Sequence, residues 1–349
     1  MSYHAACRGG VVLLSLTAIF NPQQTPPVTT PLFRPLITDD MHTVDRIIRS
    51  DLYSDVVLIR QVAEYIIGAG GKRLRPALVL LAARALGVSG EAVCKQAAMV
   101  EFIHTATLLH DDVVDESPLR RGRDTANALF GNAASVLVGD FLYTRAFQMM
   151  VGTQNLRILE VMAEATNIIS EGEVLQLLNI GNTDIDEAAY LRVIQYKTAK
   201  LFEAAGRVGA MLAQATPTQE QALADYGMHL GTAFQIIDDV LDYSGDADTI
   251  GKSLGDDLAE GKPTLPLIYV MQQGAPADAA LVTEALQHAN RDHFAAVLAA
   301  VQRAGALDYA RARAAEAAEA AVRALDALPD TETRTAMVEL ARLSVSRDA

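Results

Sequence analysis

From Met41 onward apolar residues recur every three to four positions, the spacing of a helix that buries one stripe and wets the other. Strict alternation, the mark of a half-buried strand, is scarce. The pattern predicts helices over 41–68, 76–86, 90–115, 124–151, 155–179, 186–214, 218–243 and 264–273, with a further set between 276 and 346. Pro76 falls in a first helical turn, where its missing N–H is tolerated. Gly87, Gly181 and Gly274 stand where C-terminal caps are expected, and Thr218 with Gln221 has capping-box spacing. The alanine-rich segment 306–328 reads as a supporting outer helix. No repeat of solenoid type is present. The expectation is an all-α fold in a single domain, 36–349.

The first 35 residues break this pattern. Arg8 precedes the apolar run 11–20, and a Pro/Thr-rich stretch follows. Ten residues are too few to span a bilayer, and no small-x-small cleavage pattern follows the run. The segment reads as a disordered or dispensable extension. Half of the 349 residues are apolar, enough for a sizeable core. A net charge of −14 without a basic run excludes a nucleic-acid face. Two separated cysteines, Cys7 and Cys94, form neither a disulfide framework nor a zinc site and fit a reducing compartment.

Two acidic runs change the picture. LLHDDVVDESPLRRGR, 108–123, places Asp111, Asp112 and Asp115 at i, i+1 and i+4 of a predicted helix. FQIIDDVLDY, 234–243, repeats the spacing with Asp238, Asp239 and Asp242. Residues four apart share a helix face, so carboxylates crowd there and need cations. Oxygen-only donors suit Mg²⁺, which keeps waters and shares its shell with phosphate. Apolar flanks on both runs argue against a solvated charge face. Two such helices facing each other would hold a cluster of ions between them.

Bases stand close to both acidic runs in the sequence. Lys72 and Arg75 lie at a predicted helix start, where backbone N–H groups favour anions. Arg120 and Arg121 follow the first run, Lys197 and Thr198 sit mid-helix, and Lys252 and Lys262 lie in the long loop after the second run. Guanidinium forks match phosphate oxygens. His104 lies almost two turns before Asp111, on its stripe. The acids therefore grip a diphosphate through metal, and the bases grip phosphate directly.

GGKRLRP (70–76), LLHDDVVDESPLRRGR, KTAKLF (197–202), FQIIDDVLDY and GKSLGDDLAEGKPT (251–264), taken in order, resemble the motifs of the trans-isoprenyl diphosphate synthases, above all their bacterial long-chain branch. The resemblance implies the isoprenoid synthase fold, a large helical bundle around a central apolar cavity. It implies that Lys72, Arg75, His104 and Arg121 bind isopentenyl diphosphate, and that Arg120, Lys197, Thr198 and Gln235 bind the allylic diphosphate. Asp111, Asp112, Asp115, Asp238, Asp239 and Asp242 would ligate two or three Mg²⁺, and Lys252 and Lys262 would close over the diphosphate. Catalysis would rest on Asp111, Asp112, Asp115, Lys197, Asp238 and Asp239. The allylic C–O bond ionises, the double bond of isopentenyl diphosphate attacks, and a proton leaves to pyrophosphate.

The same resemblance makes the residues before Asp111 the mouth of a product tunnel. Here they are small, Ala106 and Thr107, where short-chain relatives carry bulky aromatics. The expected product is a C40 all-trans chain grown from farnesyl diphosphate for a quinone side chain. Val100, Ile103, Phe147 and Met150 are candidates for the tunnel floor. A homodimer through apolar helices such as 124–151, a cytoplasmic location, and transient contact with the inner membrane face are further implications. A different length from C30 to C50, or a non-catalytic subunit of a heteromeric synthase, is the alternative. A terpene cyclase binds one diphosphate and would have no use for the Lys72/Arg75 site.

Overall fold

The computed structural model describes residues 31–244, 254–289 and 291–346. Among the described residues helices follow one another, in chain order α1 Phe33–Asp51, α2 Val57–Gly68, α3 Leu74–Ala85 and α4 Glu91–Val114. A short hairpin comes next, β1 Leu119–Arg120 against β2 Arg123–Asp124, antiparallel with Arg120 opposite Arg123. Then come α5 Ala126–Phe130, α6 Asn132–Val151, α7 Leu156–Leu178 and α8 Glu187–Ile194. A π-helical turn, Gln195–Ala199, joins α8 to α9 Lys200–Leu212. The rest is α10 Pro217–Ser244, α11 Asp256–Ala259, α12 Leu265–Gln273, α13 Pro276–Gln287, α14 Phe294–Arg303, α15 Ala306–Ala324 and α16 Glu332–Val345.

The core runs through α3, α4, α9 and α10. Every residue from Pro76 to Ala83 on α3 is buried, so this helix is covered all round. On α4 the stretch Gln96–Ile103 is likewise wholly buried. Both helices are too evenly apolar to leave a polar stripe, which is the signature of an interior helix. The hydroxyl of Tyr226 on α10 donates to the Met337 carbonyl of α16 at 2.8 Å and ties the last helix to the core.

Several expected boundaries shift, each for a local reason. The segment 41–68 is two helices, broken at 52–56, and the first begins at Phe33. The segment 124–151 breaks at Gly131, whose φ of 86° only glycine adopts freely. Gly87 caps α3 in the left-handed region, with Val88 N–H on the Ala83 carbonyl at 3.0 Å. Gly274 ends α12 in an extended conformation instead, because Pro276 opens the next helix. Gly181 has φ 67° but lies beyond the cap of α7 and donates to Gly261. The capping box lies two residues before the expected one: Thr216 Oγ1 accepts from Gln219 N–H, and Gln219 Oε1 accepts from Thr216 N–H, with Pro217 at the first helical position.

The alanine-rich segment is a supporting outer helix, as expected, with Asp308, Arg311, Glu316 and Glu319 exposed on one face and an alanine stripe on the other. Ala306, Ala310, Ala314, Ala318 and Ala321 of α15 are fully buried, and the helix packs on α10 and α16. Methyl side chains at these spacings let helix axes approach closely.

Candidate active site

The acidic runs lie near the C-terminal ends of α4 and α10. In both, the helix sorts the three carboxylates in the same way. Asp111, Asp115, Asp238 and Asp242 are half-exposed, while Asp112 and Asp239 are buried. Positions i and i+4 share a face, and i+1 is turned about 100° away, here into the protein. Beneath Asp111, only His104, Thr107 and Leu108 keep solvent access in an otherwise buried stretch from Gln96 to Leu109. Beneath Asp238, Phe234 and Gln235 do the same between Leu230 and Ile237. Each acid pair therefore crowns an open face.

The two faces meet. The field at Arg75 includes both Asp238 and Asp111, which reach it from opposite helices. Lys262, after α11, donates to Asp115 at 3.0 Å and also pairs with Glu260. The backbone N–H groups of Asp256 and Asp257, in the same segment, donate to the Asp242 carboxylate at 3.2 and 3.3 Å. The segment 254–262 thus links the first motif to the second. Lys197 donates to Glu173 at 2.7 Å, and both act on Asp111. Lys252 lies outside the described residues.

The buried acids are held differently. Nε and Nη2 of Arg120 both reach Asp112 Oδ1, at 2.7 and 2.6 Å, and Asp112 Oδ2 is buried without a partner. Breaking such a buried pair costs about 3–5 kcal/mol. Tyr190 donates to Asp239 Oδ2 at 2.6 Å and Gln235 Nε2 to Oδ1 at 2.8 Å, while Thr198 donates to Gln235 Oε1 at 2.9 Å. Arg120, Thr198 and Gln235 are thus each tied to an inner aspartate, directly or through one hydrogen bond.

A cationic wall stands at the other side. Arg75 lies 4.5 Å over the Phe202 ring and donates to His104 Nε2 at 3.1 Å. Arginine only donates, so the imidazole is neutral at Nε2 with its proton on Nδ1. Burial, and then Arg75, Arg121 and Arg120, hold His104 well below its ordinary range. Burial also lowers Arg75 to about 10, which leaves it cationic at neutral pH. Lys72 sits 5.9 Å over Phe234, whose ring lies 5.9 Å from Phe202. Arg73 pairs with the buried Glu101, and Arg121 lies over Gly71, where an added Cβ would meet its guanidinium at 2.8 Å. Burial, then Arg120, lowers Arg121 as well. Arg73, Glu116 and Arg121 all adopt left-handed φ, each at a cost of about 1–3 kcal/mol. A polyanion bound here would relieve the mutual repulsion of Arg73, Arg120 and Arg121.

The acids show the converse demand. Burial, and then Asp257, raises Asp242 to about 8 and holds Asp239 well above the ordinary carboxylate range. Burial, partly offset by Lys197, raises Asp111, with Asp115 adding to the rise. These groups need positive charge that the protein does not fully supply. Among the described residues no three acids or imidazoles form a ready-made cage. The half-exposed oxygens at 111, 115, 238 and 242, with an unpartnered Asp112 Oδ2 behind them, fit a hard cation that keeps waters and takes phosphate oxygens.

Sequence reasoning missed Glu173, Tyr190, Phe202 and Phe234. Gly172 carried a signal for the first: its Cβ would lie 2.5 Å from Lys197 N, so α7 abuts the π-turn and sets Glu173 beside Lys197. π-turns often occur at functional sites. Of the tunnel positions, Ala106, Val100, Ile103 and Met150 are buried in the main core, Phe147 packs against it, and Thr107 lies half-exposed one turn before Asp111.

A helical bundle that brings two acid pairs against a row of guanidiniums is built to hold two diphosphates. The chain belongs to the polyprenyl synthetase family, whose pattern matches residues 56–302. It is a trans-prenyltransferase of the all-α isoprenoid synthase fold. The family's substrates are an allylic diphosphate and isopentenyl diphosphate, and the family is generally Mg²⁺-dependent. The chain is 55% identical over 314 residues to the octaprenyl diphosphate synthase of Escherichia coli K12, covering 90% of this chain and 97% of that one. It is 46% identical over 312 residues to a geranyl-diphosphate-specific all-trans-nonaprenyl-diphosphate synthase of Rhodobacter capsulatus, covering 89% and 96%. A polyprenyl synthase from Caulobacter crescentus CB15, complexed with calcium and isoprenyl diphosphate, superposes with a TM-score of 0.88 at 46% identity, covering 91% and 98%. Among the described residues no helix is long and apolar enough to cross a membrane.

Proposed function

We propose that the chain extends farnesyl diphosphate with successive isopentenyl diphosphates to all-trans octaprenyl diphosphate, C40, for a quinone side chain. The observation that supports this reading is the segment 254–262, whose Lys262 donates to Asp115 while its backbone N–H groups donate to Asp242, so that one segment engages both acid motifs. The length rests on the 55% identity to the octaprenyl enzyme. The nonaprenyl relative supplies the competing length and starter.

Lys72, Arg75 and Arg121 hold the diphosphate of isopentenyl diphosphate, with His104 fixing the fork of Arg75. Lys197 and Lys262 face the allylic diphosphate. Asp111, Asp115, Asp238 and Asp242 hold two or three Mg²⁺. Mg²⁺ held there would supply positive charge to the leaving pyrophosphate, commonly the largest catalytic contribution in such chemistry. Asp112 acts through Arg120, and Asp239 through Gln235 and Thr198. Phe202, Phe234 and Leu108 keep water from the allylic cation, and the departing pyrophosphate takes the proton. The hydrocarbon runs past Thr107 and Ala106 toward Phe147 and Met150.

The working unit is a homodimer, supported by exposed Leu129, Val136 and Leu137 on α5 and α6. Its location is cytoplasmic, with transient contact to the inner membrane face for product release, and the segment preceding α1 is dispensable for catalysis. Incubating purified protein with farnesyl diphosphate, isopentenyl diphosphate and Mg²⁺, then sizing the products, tests the reading. A C40 maximum is expected. Absence of any chain beyond C15 overturns it.

A further inference from the structure

His110 immediately precedes the first metal-side aspartate and is used by no step above. Its side chain points away from the cavity, onto α6. Nε2–H donates to the Val136 carbonyl at 3.1 Å, with Asp140 at 3.5 Å. The ring lies against Gly139, where an added Cβ would stand 2.3 Å from Nε2 and 2.6 Å from Cδ2. The backbone at 139 is ordinary helix, so glycine is there for space and not for φ. Two further ties reach the same turn of α4. Ser135 Oγ donates to the Leu109 carbonyl at 2.9 Å, and Asn127 Nδ2 to the Asp112 carbonyl at 3.2 Å.

The His110 and Ser135 ties join α4 to α6 and bear on how far apart the two helices stand, while the Asn127 tie comes from α5 and bears on how α4 is rotated. The two helices carry all six positions considered for shaping the product: Val100, Ile103, Ala106 and Thr107 on one, Phe147 and Met150 on the other. Position 107 lies three residues before His110, less than one turn. We propose that the seat of His110 on Gly139 is a specificity-determining contact, which sets the α4–α6 spacing and through it the length of the prenyl product. It acts through the tunnel wall and touches no reacting atom, so it is a positioning contact. The proposal rests on the chain-elongating activity proposed above.

A methyl at 139 must move the imidazole or the helices by about 1 Å to reach ordinary carbon contact of ~3.5 Å. Close-packed helices transmit such a displacement. The test sizes the products of the full-length enzyme made from farnesyl diphosphate. Gly139→Ala is expected to move the product maximum upward by about one five-carbon unit, with the isopentenyl diphosphate KM held within about twofold, because ground-state binding is untouched. His110→Ala/Gly139→Ala is expected to return the maximum to the wild-type length, since the methyl then occupies space the imidazole has left. His110→Ala alone is expected to broaden the distribution to both sides. A folded Gly139→Ala enzyme with an unchanged maximum overturns the proposal, as does a double variant that keeps the shift of the single one. If Gly139→Ala fails to fold, His110→Ala decides: a distribution as sharp as the wild type overturns the proposal. A wild-type enzyme that makes no long chain refutes the elongating reading instead.

Discussion

The two acidic motifs share one spacing and differ in what balances them. In the first, Asp112 and Asp115 are paired with cationic side chains, Arg120 and Lys262. In the second, Asp239 and Asp242 take neutral donors: Tyr190, Gln235 and the backbone N–H groups of Asp256 and Asp257. Asp257 stands beside them as a further negative charge, and both carboxyls are pushed up, Asp242 to about 8. Identical sequence spacing therefore yields one motif with two of its acids paired to cationic side chains and Asp111 still raised, and one that awaits cations from outside. The difference arises from the segment after α10, which turns acids toward its own motif and sends Lys262 across to the other.

The largest break in this comparison comes from the outer acids. Asp111→Ala and Asp238→Ala should each lower kcat by about a thousandfold or more, roughly 4 kcal/mol of barrier. Steady-state assays at saturating Mg²⁺ check this, and a loss below tenfold would remove the residue from the site. Next is the bridge between motifs. Lys262→Met should cost about 10- to 100-fold in kcat/KM for the allylic substrate and little for isopentenyl diphosphate. Equal losses for both substrates would place Lys262 elsewhere.

The second motif predicts a pH effect. Unfolded aspartates release their protons near pH 4. In the fold Asp242 keeps its proton up to about 8. Between these values the folded chain binds more protons than the unfolded one, so stability falls as pH rises through the window and levels off above it. The metal-free Tm should drop from pH 5 to pH 8, and Asp242→Asn should flatten the slope. Pyrophosphate with Mg²⁺ should raise Tm more at pH 8 than at pH 5. An Asp242→Asn slope equal to the wild type would contradict this. The smallest effect belongs to the hydroxyl behind Asp239. Tyr190→Phe removes one hydrogen bond to a buried carboxyl and should lower Tm and kcat modestly, by about 1–3 kcal/mol in stability.

The helical class and both acid motifs were legible in the sequence because a 3.6-residue period and an i, i+4 pair are local properties. The sorting of inner from outer acids was implicit in the same geometry, but which way i+1 turns depends on what covers the helix. The break at Gly131 and the placement of the N-cap at Thr216 turned on single residues inside otherwise continuous patterns. Two Thr-x-x-Gln pairs overlap in TPTQEQ, and Pro217 at the first helical position favours the earlier one. The π-turn left no trace, since one extra residue in a ring hardly disturbs apolar spacing. Glu173 and Tyr190 come from α7 and α8 and reach the site only through tertiary packing. Glu101 was hidden for another reason: a lone acid on a buried helix has no pattern until Arg73 folds over it.

The central claim is that Asp111 and Asp115 on α4 and Asp238 and Asp242 on α10 act on one diphosphate from opposite sides. Anomalous diffraction from crystals containing Mn²⁺ and a non-ionisable allylic diphosphate analogue tests it directly. The account predicts ions ligated by carboxylates of both helices and bridged by the same diphosphate. Ions bound to one motif alone, with the other motif's carboxylates left outside the ligand's reach, would contradict it.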